Sequence, residues 1–409
     1  MKRRILHGLV AGLLALAAAP ATAVLCAIDQ VPAATLLVPF FEVDLDNFSG
    51  VTTVVAITNT ASTAHVAHVT LWTDWGIGVF AFDVYLTGHD VQVINLRDLF
   101  NGFIPRTASR GQDPADIVSP QGPRSDDDNF ASCAGILPPP NLPQSITDHL
   151  RASLTGGPSA MLGGKCSGSA RGDSVAHGYV TVDVVNGCTL RLATDVGYFE
   201  TDTSMANVLT GDMMVVSPAA GTLFSYPVVH LEAGALPPGS RSFYGRYVGD
   251  SGLDGREPLP STYAVRYLGP APAADSELLV WRESPIGSPA TCGNSPAWAP
   301  LPTPAVMLLD EATQTTYAAA SLPFAAGVLG LHAGLANPFD RGLAILRLDH
   351  GRFAGRPAQG FVLARSSQGA LDHSVEALQL EDNCTGARFP FIFADGFEAG
   401  LSVWSWATP

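Results

Sequence analysis

Six cysteines carry the chemistry that is easiest to interpret in this 409-residue chain. An even number of cysteines behind an export signal, described below, is typical of disulfide bonds. The competing chemistry is metal ligation by thiolates, but no pair has the two- to four-residue spacing that zinc sites use. We therefore expect up to three disulfides, formed by Cys26, Cys133, Cys166, Cys188, Cys292 and Cys384.

The positions of the cysteines favour one pairing over the others. Cys292 and Cys384 bracket the last third of the chain, so a bond between them would close a long loop without involving the first part. Cys133 with Cys166 would similarly tie the ends of a loop-rich segment, which would leave Cys26 with Cys188. Six cysteines allow 15 connectivities, and only the Cys292–Cys384 pair is preferred to its alternatives.

Some histidines and carboxylates are spaced so that a metal site has to be considered. His65 and His68 have the spacing of a helical metal pair, but they lie in a predicted strand, where residues three apart point to opposite faces. Two other groups would share a strand face and could bind calcium, although solvated faces explain them better. These groups are His230 with Glu232, and Glu42 with Asp44 and Asp46. We predict no metal ligands and no cofactor.

One serine lies in a motif that resembles an active site. Gly249-Asp250-Ser251-Gly252 resembles the nucleophile loop of chymotrypsin-like proteases, and Thr63-Ala64-His65 resembles the segment that carries their histidine. That chemistry also needs a buried aspartate and backbone donors for the oxyanion. Leu253-Asp254 replaces the Gly-Pro that follows in that family, and the loop is rich in turn formers. A surface turn explains the motif better, and no catalytic residue is predicted.

A second short motif surrounds Ser174. Gly172-Asp173-Ser174 is similar to a serine esterase block, but no matching Asp-x-x-His occurs near the C-terminus. Arg171-Gly172-Asp173 is also the tripeptide that integrins read in adhesion proteins. Three residues recur often by chance, so neither motif outweighs a plain turn.

The N-terminus predicts export. Lys2, Arg3 and Arg4 precede an apolar run over 5–19, and small residues at 20–23 place a cleavage site after Ala23. The alternative is a lipoprotein anchored at Cys26, but Leu25 stands where a small residue is expected. The longest later apolar stretch, 318–336, is interrupted by proline, glycine and histidine. We therefore predict a secreted, periplasmic or cell-surface protein with no membrane-spanning segment.

Composition narrows the partners and the fold class. The formal charge is -15, and removal of the basic signal makes the mature chain more acidic still. Such a surface repels nucleic acid and anionic membranes. With 41 glycines, 31 prolines and only 14% charged residues, the chain is suited to strands joined by turns.

Period-two alternation of apolar residues predicts strands in two series. In the first, strands cover about 51–57, 67–71, 80–86, 91–96 and 179–185. A loop-rich insertion over about 101–175 interrupts them. In it Ile146, Leu150 and Leu154, preceded by a Ser145 cap, predict one short helix. The second series covers about 263–268, 278–282, 305–309, 343–348 and 361–364.

The two series predict an all-β protein of two antiparallel β-sandwich (Ig-like) domains, with the long insertion in the first. The predicted organisation is a signal peptide over 1–23, a sandwich over 24–250, a linker over 251–260, a second sandwich over 261–385 and an aromatic tail over 386–409. Strands at 34–41, 51–57, 69–74 and 178–184 recur in the same order at 263–268, 278–282, 307–311 and 342–348. This order predicts an internal duplication, with chance similarity between sandwiches as the alternative.

Three runs, at 33–45, 69–75 and 256–260, together resemble a group of exported bacterial proteins of unknown activity.

The run 395–405 is similar to a short Asp-Gly-Phe-Glu-Ser-Gly-Asp tail, followed by Trp-Ser, that closes many exported bacterial proteins. The acidic residue after Gly400 is missing here. The tail has too many aromatics to leave in water, so it should dock on a sandwich or a partner. It is either a final edge strand of the second domain or a separate recognition tag. Its aromatics are Phe391, Phe393, Phe397, Trp404 and Trp406.

These observations favour a non-enzymatic secreted or envelope protein with a structural or interaction role and an extracellular or envelope partner. The alternative is a secreted hydrolase whose site is built from the long insertion and loops.

Overall fold

The computed structural model describes residues 31–105, 141–236, 241–249, 253–268, 274–311, 314–332, 334–353, 358–368, 371–376 and 378–379. The fold is all-β, as predicted, and every strand pair in these residues is antiparallel. The predicted signal peptide, Cys26, Cys133, Cys384, Ser251 and the aromatic tail lie outside the described residues. Within those residues, no helix is long and apolar enough to cross a membrane.

The first half of the chain forms two sheets, here named I and II. Sheet I has the strand order β5-β2-β7-β8, and sheet II has the order β4-β3-β6-β1-β9. Sheet I contains β2 (Thr52–Asn59), β5 (Val91–Asn95), β7 (Leu209–Ser217) and β8 (Thr222–Pro227). Sheet II contains β1 (Thr35–Asp44), β3 (His65–Thr73), β4 (Gly78–Leu86), β6 (Val175–Val185) and β9 (Val229–Leu231).

The second half forms sheets III and IV. Sheet III has the order β14-β11-β16-β17, and sheet IV has the order β13-β12-β15-β10-β18. Sheet III contains β11 (Ala274–Arg282), β14 (Ala326–Gly330), β16 (Gly360–Gln368) and β17 (Leu371–Glu376). Sheet IV contains β10 (Thr262–Leu268), β12 (Val306–Asp310), β13 (Thr315–Ala318), β15 (Arg341–Arg347) and β18 (Leu378–Gln379).

The strand orders of the two halves are the same. Adding nine to each strand number in the first half gives the strand order of the second half. Sheet I therefore matches sheet III, and sheet II matches sheet IV. Four of these matches, β1 with β10, β2 with β11, β3 with β12 and β6 with β15, are those that the sequence order predicted. The shared topology supports an internal duplication.

The four sheets form a stack. β1 contacts β2 and β7 of sheet I on one side and β11 and β14 of sheet III on the other, and β10 of sheet IV contacts β11 and β16 of sheet III. In each half, two sheets therefore face each other as a sandwich. The halves meet through sheets II and III, and also where β8 of sheet I contacts β17 of sheet III.

No described sheet mixes strands from the two halves. The buried apolar side chains of both halves nevertheless form one continuous cluster, from Leu36 and Val182 to Leu279 and Leu346. Whether the predicted domains at 24–250 and 261–385 fold separately stays a prediction.

The insertion is folded where it is described. A short helix, α1 (Leu96–Phe100), follows β5, and a second, α2 (Gln144–Leu154), confirms the helix predicted from its apolar spacing. Leu150 and Leu154 are buried. The predicted Ser145 cap is wrong because the helix begins at Gln144, two residues earlier than that cap implies, with Pro143 at the cap position and no side-chain cap bond. A third helix, α3 (Gly245–Val248), lies in the connection between the halves.

Candidate functional site

The surface of sheet II that faces the second half is polar and aromatic rather than aliphatic. In β6, Val180, Val182 and Val184 belong to the apolar face that packs on sheet I, whereas Tyr179, Thr181 and Asp183 alternate with them on the opposite face. Tyr179 there meets Trp281 of sheet III, with ring centroids 5.9 Å apart. This face, named the junction face here, is the best candidate for function in the described residues.

Asp183 is the centre of the junction face. Its side chain has no exposure to solvent, and three hydroxyls donate hydrogen bonds to its carboxylate. Thr35 Oγ1 lies 2.5 Å from Oδ1, Tyr198 Oη lies 2.6 Å from Oδ2 and Tyr244 Oη lies 2.9 Å from Oδ2. Burial, together with the nearby carboxylate, raises the pKa of both tyrosines well above the usual value. They therefore remain donors at any physiological pH.

Arg256 balances this carboxylate through a shared hydroxyl. Its Nε donates to Thr35 Oγ1 over 2.9 Å, while Thr35 donates to Asp183. Its other nitrogens donate to the carbonyls of Asp254 and Ser204. Asp254 and Arg256 are fully buried although they lie in the predicted linker 251–260. This connection therefore packs into the junction from residue 254 onward instead of running over the surface.

A second buried pair, His68 and Asp83, lies beside Asp183, so that the three side chains form a row across sheet II. His68 on β3 stands opposite Asp183 on one side and Asp83 of β4 on the other. Its Nδ1 lies 2.7 Å from Asp83 Oδ1, and its Nε2 lies 2.9 Å from the carbonyl oxygen of Arg191. The imidazole therefore bridges β4 and the backbone of the loop around Arg191. The row ties the loop around Arg191 to the sheet.

Next to this row, an aromatic crevice separates the two halves. Trp72 and Tyr179 stack with their rings parallel and 5.6 Å apart, and Trp72 Nε1 donates to Thr181 Oγ1 over 2.9 Å. The crevice measures about 330 Å³ when its open mouth is included. Its lining residues come from both halves and from α3, namely Trp72, Tyr179, Thr181, Phe243, Tyr244, Arg246, Tyr247, Trp281, Glu283 and Ser284.

Glu283 and Arg246 are the two charged residues that line the crevice. Burial raises the pKa of Glu283, and Arg241, Arg246 and a hydrogen bond from the Gln359 backbone act in the opposite direction. The Arg246 guanidinium lies 5.1 Å from the centre of the Tyr247 ring and donates to the Ile286 carbonyl oxygen. The lining also carries hydroxyls, and Ser284 Oγ donates to the Trp75 carbonyl oxygen over 2.5 Å. Most of the remaining lining is aromatic.

A bridge of charges joins the halves on the other side of β1. Arg365 of sheet III lies 2.6 Å from Glu42 Oε1 of sheet II and 2.7 Å from Glu277 Oε2. These two carboxylates raise the pKa of Arg365 against the effect of burial. Beside them, burial and the charge of Arg171 lower the pKa of His177 to about 4, while Asp173 acts to raise it.

A disulfide between Cys166 and Cys292 locks the junction, with Cα atoms 5.0 Å apart. The predicted Cys292–Cys384 and Cys133–Cys166 pairs are therefore wrong. Cys166 and Ala290 exchange two backbone hydrogen bonds of 2.9 Å, and this bridge brings the insertion of the first half against the second half. The bond joins the two halves, whereas the predicted pairs would each close a loop within one half. Cys188 is disulfide-bonded too, and none of the described cysteines is free.

The structure separates the side chains that were considered as metal ligands. Glu42 binds Arg365, Asp44 accepts from the backbone of Asp46 and Asn47, and Asp46 pairs with Arg151. His230 Nε2 accepts from the Gly211 backbone, with Glu232 beyond the end of β9. His65 lies 3.3 Å from Thr63 Oγ1, away from His68. The described residues hold no cluster of three or more metal-binding side chains.

Ser174 is the motif serine that the described residues include, and it lies at the opposite end of β6 from His65. Ser174 precedes β6, and His65 begins β3 at a position next to the far end of β6, where Val66 pairs with Val185. The Arg171-Gly172-Asp173 turn is exposed, with Asp173 accepting from the Val175 backbone. An adhesion role for it stays a prediction.

The residues of the junction face were missed in the sequence, although a signal for them was present. If one face of these strands were exposed to solvent, we would expect that face to carry polar residues of interchangeable type. β3 and β6 instead carry His68, Thr70, Trp72, Tyr179, Thr181 and Asp183, which combine large aromatics with single charges. That mixture on one face is typical of a second packing surface.

No protein family, curated protein sequence or solved structure matches this chain.

Replacement of Asp183 by asparagine should lower the free energy of unfolding by about 3 kcal/mol, because the amide's N–H groups would face hydroxyl donors in a dry site. Urea denaturation followed by tryptophan fluorescence measures this change. Asp212→Asn, at an exposed position, is the matched control and should change stability by less than about 0.5 kcal/mol. Equal stability of Asp183→Asn and the wild-type protein would contradict the assigned role.

His177 should make the protein sensitive to acid. Its pKa in the folded state is about 4 and its pKa in the unfolded state is about 6.5, so protonation favours unfolding. The stability it contributes is complete above pH 6.5 and is lost as the pH falls towards 4, by about 3 kcal/mol. His177→Gln should flatten the stability profile over this range. His89→Asn, which replaces an exposed histidine with a residue that tolerates positive φ, should leave the profile unchanged.

Proposed function

We propose that the protein works outside the cytoplasm as a non-enzymatic structural or interaction protein, with an extracellular or envelope partner. The observation that carries this proposal is the Cys166–Cys292 disulfide, which joins segments 126 residues apart across the junction. A crosslink of this kind needs an oxidising compartment to form and persist. The predicted signal peptide supplies the route to such a compartment.

The character of the junction supports a structural or interaction role. The buried Asp183, His68 and Arg256 are each used to hold segments together, and Glu42, Arg365 and Glu277 join the two halves. Catalytic sites more often leave titratable groups open to a substrate. The rigid double sandwich favours a module that presents surfaces.

Export and oxidation are tested together. The processed protein should be found outside the cytoplasm with its N-terminus at Val24, and non-reducing peptide mapping should recover the Cys166–Cys292 crosslink. The Cys166→Ala, Cys292→Ala double variant should lose about 4 kcal/mol of stability, because the closed loop is long. Cys188→Ala is not a neutral control since this cysteine is also bonded, so Met161→Ala at an exposed position serves instead. An unprocessed, fully reduced cytoplasmic protein would refute the proposal.

The hydrolase alternative has a direct test. A broad serine-hydrolase probe should not label the purified protein. Labelling that Ser251→Ala or Ser174→Ala abolishes would replace the proposal with an exported hydrolase.

A further inference from the structure

Among the described residues, two sheet faces remain outside the stack. The inner faces of each sandwich pack on each other, and the outer faces of sheets II and III meet at the junction. The outer surfaces of sheets I and IV, named face I and face IV here, are left. Because the strand order repeats, face I corresponds to the junction side of sheet III and face IV to the junction side of sheet II.

Face I carries apolar side chains that are exposed on the surface of a sheet. Val91, Val93 and Leu223 are 54%, 51% and 55% exposed. Between them lie the partly exposed Val54 and Met214, which are directly paired across β2 and β7. A cluster of this kind in an exported protein marks an interaction surface.

Face IV is also apolar but carries basic residues. Tyr317 is 62% exposed and pairs with the partly exposed Met307, which in turn pairs with Ile345. Arg266 and Arg347 are exposed in the same sheet, whereas face I has the exposed Asp212 near its centre. The charges of the two faces are complementary.

The junction within the chain shows how such faces fit together. Ala56 of β2 pairs with Val93 and Asp212, and the matching Leu279 of β11 pairs with Val328 and Leu363. Leu279 is fully buried at the junction, where sheet III packs on sheet II. In proteins built from stacked repeats, the end faces are normally polar caps. Here both end faces keep apolar side chains.

We propose that face I of one molecule binds face IV of a second copy of this chain, repeating the packing of sheet III on sheet II. The inference rests on the proposed structural or interaction role and names the partner as the protein itself. Because the two faces differ, the contact is head to tail. Such a contact adds copies in a row rather than closing as a symmetric dimer.

Two surface variants test the proposal. Val93→Glu places a charge on face I, and Tyr317→Glu places one on face IV. Both sites are at least half exposed, so the fold should tolerate either change, and circular dichroism verifies this. Val196→Glu, at a loop position that is 94% exposed, is the matched control. The assay is sedimentation of the purified mature protein over a range of concentrations.

The wild-type protein and Val196→Glu should form species that grow beyond a dimer as concentration rises. Val93→Glu and Tyr317→Glu should each be monomeric, since each lacks one of the two faces. An equimolar mixture of these two variants should form a dimer and nothing larger, because one intact face IV then meets one intact face I.

A wild-type protein that stays monomeric would overturn the proposal, as would a mixture of the variants that stays monomeric. A wild-type dimer that Val93→Glu disrupts and Tyr317→Glu leaves intact would show a symmetric contact of face I instead. None of these results would bear on export or on the disulfide, so a failure here is distinct from a failure of the proposed function.

Discussion

The structure depends on the hydrogen bonds that one buried carboxylate, that of Asp183, accepts. Asp183 is fully removed from water, and an unpaired carboxylate in such a place would cost several kcal/mol. Its three hydroxyl donors come from β1, from the loop after β6 and from the connection between the halves. The carboxylate is satisfied only when all three segments are in place. The connection is therefore part of the core, and it fixes how the second half meets the first.

The repeated strand order explains why this charge lies at an interface. Two halves with the same strand order each form a sandwich, and two outer faces must then be hidden against each other. An interface between sandwiches that have already formed is more polar than a core. Aromatic rings, the Asp183 row and the bridge from Glu42 through Arg365 to Glu277 give the packing its specificity. The Cys166–Cys292 bond then fixes the arrangement covalently.

Much of the fold could be predicted from local patterns. The alternation of Val180, Val182 and Val184, the helix spacing of Leu150 and Leu154 and the repeated order of strands are properties of short segments, and each reports directly on a face or a period. The sequence analysis missed β7 to β9, β13, β14, β17 and β18 because these strands are short or interrupted by polar residues. The cap of α2 was misplaced because proline at 143 ends the preceding loop without a side-chain bond.

The candidate site could not be predicted in the same way. Asp183 meets Tyr244 across 61 residues, and Cys166 meets Cys292 across 126, so no local pattern contains either contact. Alternation shows that Tyr179, Thr181 and Asp183 share a face, but only the packing of a second sandwich shows that the face is buried. The choice of cysteine partner was wrong for the same reason, since it assumed two independent halves.

The central claim is that the junction makes the two halves one cooperative unit. Hydrogen exchange of the folded protein at increasing denaturant measures this most directly, because it reports the free energy at which each strand opens. The amides of β6 and those of β11 and β16 should converge on the same opening free energy. If β10 to β18 exchange through an opening that leaves β1 to β9 protected, the halves are independent and the claim is wrong.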